Sequence, residues 1–124
     1  MKPTILVMED EKIIRMYLEK ALAGSFVVVM KANGAEGLEW LEEGNIPSAV
    51  ITDLNMPVID GFGFLEKVRA SENYKDLPVV VLSAMESTEE KTRCFSLGAT
   101  EYLSKPLNIS ILISSIERLI ASKI

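Results

Sequence analysis

Short apolar, β-rich runs alternate five times with stretches of helical period, and this strict alternation restricts the chain to one class of fold. The runs are Thr4–Met8, Phe26–Lys31, Ala49–Thr52, Pro78–Ser83 and Thr100–Leu103. Within them Phe26–Met30 and Val79–Leu82 are continuously apolar. Such runs suit strands covered on both faces, as in a parallel sheet. The helical stretches carry the other period. Ile14, Tyr17, Leu18, Ala21 and Leu22 make one apolar face, with Gly24 as a stop. Asn33 with Glu36 reads as a capping box before Leu38 and Leu41, and Ser87 with Glu90 as another before a helix ending near Gly98. Phe62, Leu65 and Val68 mark a helix from about Gly61 to Ala70. Asn108 caps a last helix striped by Ile109, Leu112, Ile113, Ile116, Leu119 and Ile120, with Ile111 opposite the stripe. Ile13 and Met16 fall off the first helix's apolar face. The order β-α repeated five times predicts an α/β domain: a parallel five-stranded sheet, helices on both faces, right-handed crossovers. No repeat or linker interrupts it, so one domain is expected over residues 1–124.

Composition narrows the chemistry. Apolar residues make up 48% and charged residues 25% of the 124, the balance of a globular chain with a real core. A net charge of −5 argues against direct nucleic-acid binding. The longest apolar run is the five residues Phe26–Met30, far short of the roughly 20 needed to span a bilayer. One cysteine, Cys94, permits no internal disulfide and suggests a reducing compartment, the cytoplasm. Histidine is absent, which removes Ser-His-Asp and Cys-His catalysis and histidine-ligated zinc. Chemistry must come from carboxylates, hydroxyls and lysine.

Those groups sit where an open α/β sheet binds ligands, at the carboxyl ends of its strands. Glu9, Asp10 and Glu11 follow the first strand, Asp53 ends the third, Ser83 ends the fourth, and Lys105-Pro106 follows the fifth. Two like charges about 4 Å apart repel by roughly 4 kcal/mol at an effective dielectric near 20, and a divalent cation reverses that sign. All-oxygen ligands favour Mg²⁺, with Mn²⁺ as the alternative. Glu11 is expected to be a solvated residue of a helix's first turn. Carboxylates, a hydroxyl and an ammonium at one sheet edge suit phosphate chemistry.

With Asp53-Leu54-Asn55-Met56-Pro57, Asp60-Gly61, Ser83-Ala84 and Lys105-Pro106 in order, the chain resembles the response-regulator receiver domain of two-component signalling. The resemblance implies a three-layer flavodoxin-like fold with strand order 2-1-3-4-5. It implies that Asp53 accepts a phosphoryl group, forming an acyl phosphate, from a partner histidine kinase or phosphotransfer protein. Asp10 and Asp53 then ligate Mg²⁺, with the Asn55 backbone carbonyl, and Glu9 reaches it through water; the family more often has aspartate at the Glu9 position. Lys105 pairs with the phosphoryl oxygens, and the Lys105–Pro106 peptide is cis. Ser83 and Tyr102 form the switch pair, signalling at the face made by the fourth helix, fifth strand and fifth helix to a downstream protein or a fused effector domain.

Two other functions use the same residues: a receiver-like interaction module that is never phosphorylated, and a Mg²⁺-dependent phosphohydrolase with an aspartyl nucleophile. Gly61-Phe62-Gly63 lacks the third glycine of a dinucleotide loop, where Glu66 stands. Trp40 and Cys94 read as packing residues.

Overall fold

The structure, a computed structural model, describes residues 2–84, 87–105 and 108–122. Five strands and five helices alternate along it: β1 (Thr4–Met8), α1 (Lys12–Leu22), β2 (Val27–Lys31), α2 (Gly34–Glu42), β3 (Ala49–Asp53), α3 (Gly61–Ala70), β4 (Val79–Ser83), α4 (Thr88–Ser96), β5 (Glu101–Ser104) and α5 (Ile109–Ala121). All pairings are parallel, and the sheet order is β2-β1-β3-β4-β5. The flavodoxin-like fold expected from the sequence is the one observed.

Right-handed crossovers turn this order into two helical layers. The step from β1 out to β2 runs one way across the sheet, and every later step runs the other. Helix α1 therefore lies on one face, and α2, α3 and α4 on the opposite face. No strand follows α5 among the described residues; its apolar stripe puts it beside α1, with Leu112 and Ile116 buried. Strand alternation feeds both layers. Ile5, Val7, Ile51, Val80 and Leu82 pack toward α1 and α5, while Leu6, Met8, Val50, Val79 and Val81 pack toward the other layer.

The caps follow the sequence in most places. Asn33, Asp60, Ser87 and Asn108 each accept a hydrogen bond from the amide three residues on. Gly98 takes φ 103° just beyond α4, the left-handed conformation in which glycine has no Cβ to clash. Arg69 fastens that corner: Nε donates to the Gly98 carbonyl at 2.9 Å and Nη1 to that of Lys75 at 3.1 Å.

Several expectations need correction, the second capping box among them, since the Glu90 carboxylate turns from Ser87 to Ser83 and Tyr102. Strand β2 is an edge strand, and Val27 is 50% exposed, so its continuous apolar run does not mark cover on both faces. Tyr17, assigned to α1's apolar face, is 54% exposed because Leu18 and Leu22 fill the contact with the sheet. Gly24 does follow the end of α1, though Ala23, in a right-handed conformation, is the cap. In α2, the Glu36 carboxylate takes the Ala32 amide, one residue before the cap. Ile13, Met16 and Ile111 are exposed, and Cys94 is buried, as expected. Pro106 lies outside the described residues, and with it the expected cis peptide.

One contact sets the entry to α3. The Gly61 amide donates to the Leu54 carbonyl at 3.0 Å, and a Cβ there would stand 2.5 Å from the Asp53 carbonyl oxygen and 2.9 Å from Leu54 Cα. Both obstacles are backbone. Gly61→Ala is expected to lower stability by about 1–3 kcal/mol, read as a lower urea midpoint. An unchanged midpoint would show that the loop after β3 can retreat.

Candidate functional site

The topology puts the predicted acids side by side. Strands β1 and β3 are neighbours, and the order reverses between them. Their carboxyl ends therefore open the crevice where such sheets bind ligands. Met8 pairs with Thr52, so Glu9 and Asp53 are the next residues out on each strand. Both have the parity of Val7 and Ile51 and face the α1/α5 side. Oxygens of Glu9, Asp10 and Asp53 all lie within 4.8 Å of one another.

Lys105, the residue after β5, reaches into this cluster. Its Nζ donates to Asp53 Oδ2 at 2.9 Å and to Glu9 Oε1 at 3.4 Å. The other oxygens are held by backbone: Leu54 N–H donates to Asp53 Oδ1 at 2.8 Å, and Glu11 N–H to Glu9 Oε2 at 3.1 Å. Arg15 Nη1 donates to the Glu9 and Asp10 carbonyls at 2.9 and 2.8 Å, fixing the turn from β1 into α1. Asp10 is exposed at the mouth, and Asn55 is exposed on the loop after β3. Glu11 is the exposed residue preceding α1 and caps nothing with its side chain. Val58, 81% exposed on the same loop, holds φ 70°, a conformation that strains a β-branched residue.

Glu9 is only 1% exposed. Burial pushes its carboxyl up to about 7, opposed by the Glu11 amide and by Lys105 and reinforced by the nearby charge of Asp53. Burial pulls the Lys105 ammonium down, but its hydrogen bond to Asp53 and the charges of Asp53 and Glu9 outweigh that, leaving it above its ordinary value. Three carboxylates around one ammonium leave an excess of negative charge. Such a site gains by taking a divalent cation, and its oxygen-only donors suit magnesium or manganese.

A second group stands beside the first. Ser83 is buried at the end of β4, and Tyr102 on β5 is half-buried against the α2/α3/α4 layer. Ser83 Oγ and the Tyr102 hydroxyl both donate to Glu90 Oε2 of α4, each at 2.5 Å. Burial and the hydrogen bond to Glu90 push the Tyr102 hydroxyl above its usual range, against a direct hydrogen bond with Ser83 that lowers it. The structure thus brings Glu9, Asp10, Asp53 and Lys105 into one cluster, and Ser83 and Tyr102 into another. Glu90 is the member that sequence reading missed, because its spacing from Ser87 explains it as a cap.

The family model for the response regulator receiver domain matches residues 5–117. The chain belongs to that family. A mycobacterial relative, the transcriptional regulatory protein PrrA of Mycobacterium tuberculosis, is 37% identical over 95% of this chain. The match takes in 50% of PrrA, so the chain spans about half that relative's length. A putative response regulator from Chloroflexus aurantiacus superposes with a TM-score of 0.91 at 31% identity, covering 98% of this chain and 99% of the other. The receiver domain of a Pseudomonas aeruginosa sensor histidine kinase superposes with a TM-score of 0.89 at 26% identity, over 98% and 99% of the two chains. That crystal structure has a magnesium ion coordinated in its active-site cleft. Receiver domains are signalling modules of two-component systems rather than ordinary enzymes. Among the described residues, no helix of this receiver domain is long and apolar enough to cross a membrane.

The raised Glu9 group makes stability depend on pH. A carboxyl whose folded pKa lies above its unfolded value contributes stability that is complete below the ordinary 4.5 and is lost as pH rises through about 7. Relative to Glu9→Gln, the metal-free protein is expected to lose stability as pH rises from about 4.5 through about 7. Urea midpoints of both proteins across that range check this; a constant difference would contradict it.

Proposed function

We propose that this receiver domain, taken as one unit over residues 1–124, is a signalling switch that is phosphorylated on Asp53. The observation that carries the reading is the Asp53 carboxylate, 2.9 Å from Lys105 Nζ and within 4.8 Å of acidic oxygens from β1's end. A nucleophilic carboxylate, an ammonium and a cation-seeking acidic cluster are the parts that phosphoryl transfer needs.

In the proposed step, an Asp53 oxygen attacks the phosphorus of a phosphohistidine on a partner kinase or phosphotransfer protein. The P–N bond breaks, its electron pair leaves with the imidazole nitrogen, and an acyl phosphate forms on Asp53. Water attacking the same phosphorus later returns the carboxylate and inorganic phosphate. The sequence has no histidine to serve as its own donor. Lys105 pairs with the phosphoryl oxygens and balances their charge. Asp10, Asp53 and the Asn55 carbonyl would hold magnesium or manganese directly, and Glu9 through water; the ion would supply the positive charge that draws phosphoryl oxygens and acids together.

Ser83 then gives its hydroxyl to the new phosphoryl group, and Tyr102 repositions with it, altering the face of α4, β5 and α5 that a downstream protein or fused effector reads. Driving such a switch from 1:99 to 99:1 takes about 5.5 kcal/mol of differential interaction, within the reach of a few charge-assisted hydrogen bonds. A reduced, buried Cys94 and a kinase partner fit a cytoplasmic setting.

Incubation with magnesium and a small acyl-phosphate donor is expected to label Asp53, detected as a mass increase, and Asp53→Asn to abolish it. Equal labelling of that variant would remove Asp53 as the acceptor. Asp10→Ala is expected to weaken magnesium binding at least tenfold, about 1.4 kcal/mol, by calorimetry; unchanged affinity would remove Asp10 from the metal set.

A further inference from the structure

Glu90 belongs to the first turn of α4, three residues from the capping Ser87, and only half of the expected box forms. The Glu90 amide donates to Ser87 Oγ at 3.2 Å. Its carboxylate, instead of returning to the helix start, turns to the sheet and accepts from both Ser83 and Tyr102 through one oxygen. Side chains from α4, β4 and β5 therefore meet at a single acceptor atom.

Strand register makes that meeting consequential. Asp53 pairs with Leu82, which packs toward α1 and α5. Ser83, one residue on, has the parity of Val81 and belongs to the side that α4 covers. A serine hydroxyl has one proton to donate. While that proton goes to Glu90, it does not go to an oxygen on Asp53.

We infer that Glu90 is a positioning residue of the switch: its carboxylate holds the Ser83 and Tyr102 hydroxyls in the resting arrangement, and a phosphoryl group on Asp53 has to win Ser83 from it. This deepens the proposed function and rests on Asp53 as the acceptor. Two anionic oxygens compete for one donor, so the strength of the Glu90 contact sets how much phosphorylation must supply. Tyr102 shares the same oxygen, so the departure of Ser83 changes the footing of Tyr102 directly. Ser83 and Tyr102 also bond each other directly, so the two are coupled both between themselves and through the α4 oxygen they share.

The test compares the unsubstituted protein with Glu90→Ala, with Glu90→Gln, which keeps the side chain's size should the alanine variant fold poorly, and with Glu89→Ala as an exposed control in the same turn. In the unliganded proteins, the rotamer populations of carbon-13-labelled Tyr102 are measured by NMR. Both Glu90 variants are expected to redistribute them, and the control to leave them unchanged. With magnesium present, beryllofluoride affinity is then measured. The Glu90 variants are expected to bind at least about fivefold tighter, and adding Ser83→Ala is expected to erase the gain. An unmoved Tyr102, or an affinity that does not rise, overturns the inference. If the unsubstituted protein binds beryllofluoride no better than Asp53→Asn does, the acceptor reading has failed instead, and the Tyr102 populations alone decide the Glu90 assignment.

Discussion

A single ammonium group stands between two carboxylates at the open end of the sheet, and the geometry of the site follows from the reach that this requires. Neighbouring strands lie about 4.8 Å apart, so β5 is roughly 10 Å from β3 and farther still from β1. Lys105 therefore has to extend its whole side chain over the end of β4 to meet Asp53 at 2.9 Å. Glu9, one methylene longer than aspartate, comes within 3.4 Å from the far side. Backbone amides hold the remaining oxygens of both acids, so neither is left to swing into water. The cluster is ordered and still short of positive charge, the condition in which a cation or a phosphoryl group with its cation finds partners already in place.

The alternation of a β-strand serves both halves of the proposed switch. Successive residues point to opposite faces, so Leu82 and Ser83 report to different helical layers although they are adjacent in sequence. The acids and Lys105 sit on the α1/α5 side, and the hydroxyls with Glu90 on the α4 side. Signalling by this reading is the movement of one hydrogen bond across the thickness of the sheet's edge. Gly61 protects the arrangement from behind, since only a residue without Cβ lets α3 begin against the Asp53 carbonyl.

Much of this was legible in the sequence, for physical reasons that also explain the exceptions. Period and capping chemistry are local, so Asn33, Ser87 and Asn108 mark helix starts that the structure shows as elements, and the spacing of Phe62, Leu65 and Val68 marks α3, whose Asp60 cap emerges only from the structure. Four of the five strand ends carried the acids, hydroxyl and lysine in chain order, and the parallel topology gathered them. Strand β2 misled because an apolar run reports hydrophobicity, not whether a strand is central or at an edge. Tyr17 misled because a helical wheel fixes direction but not how far the contact with the sheet extends. Glu90 was hidden for a different reason: a glutamate three residues after a serine has a sufficient local explanation, and its long-range partners exist only once β4 and β5 are paired.

Helix α4 is secured unequally along its length. Its far end meets Gly98, whose carbonyl Arg69 grips from α3, and Arg93 lies 3.9 Å over the Phe62 ring nearby. Its near end touches the sheet through Glu90's two hydroxyl partners. Fixed at one end and latched at the other, the helix has the mechanics of a lever with its fulcrum remote from the chemistry. Loosening the latch would then free the near end of the helix while Arg69 keeps its far end in place.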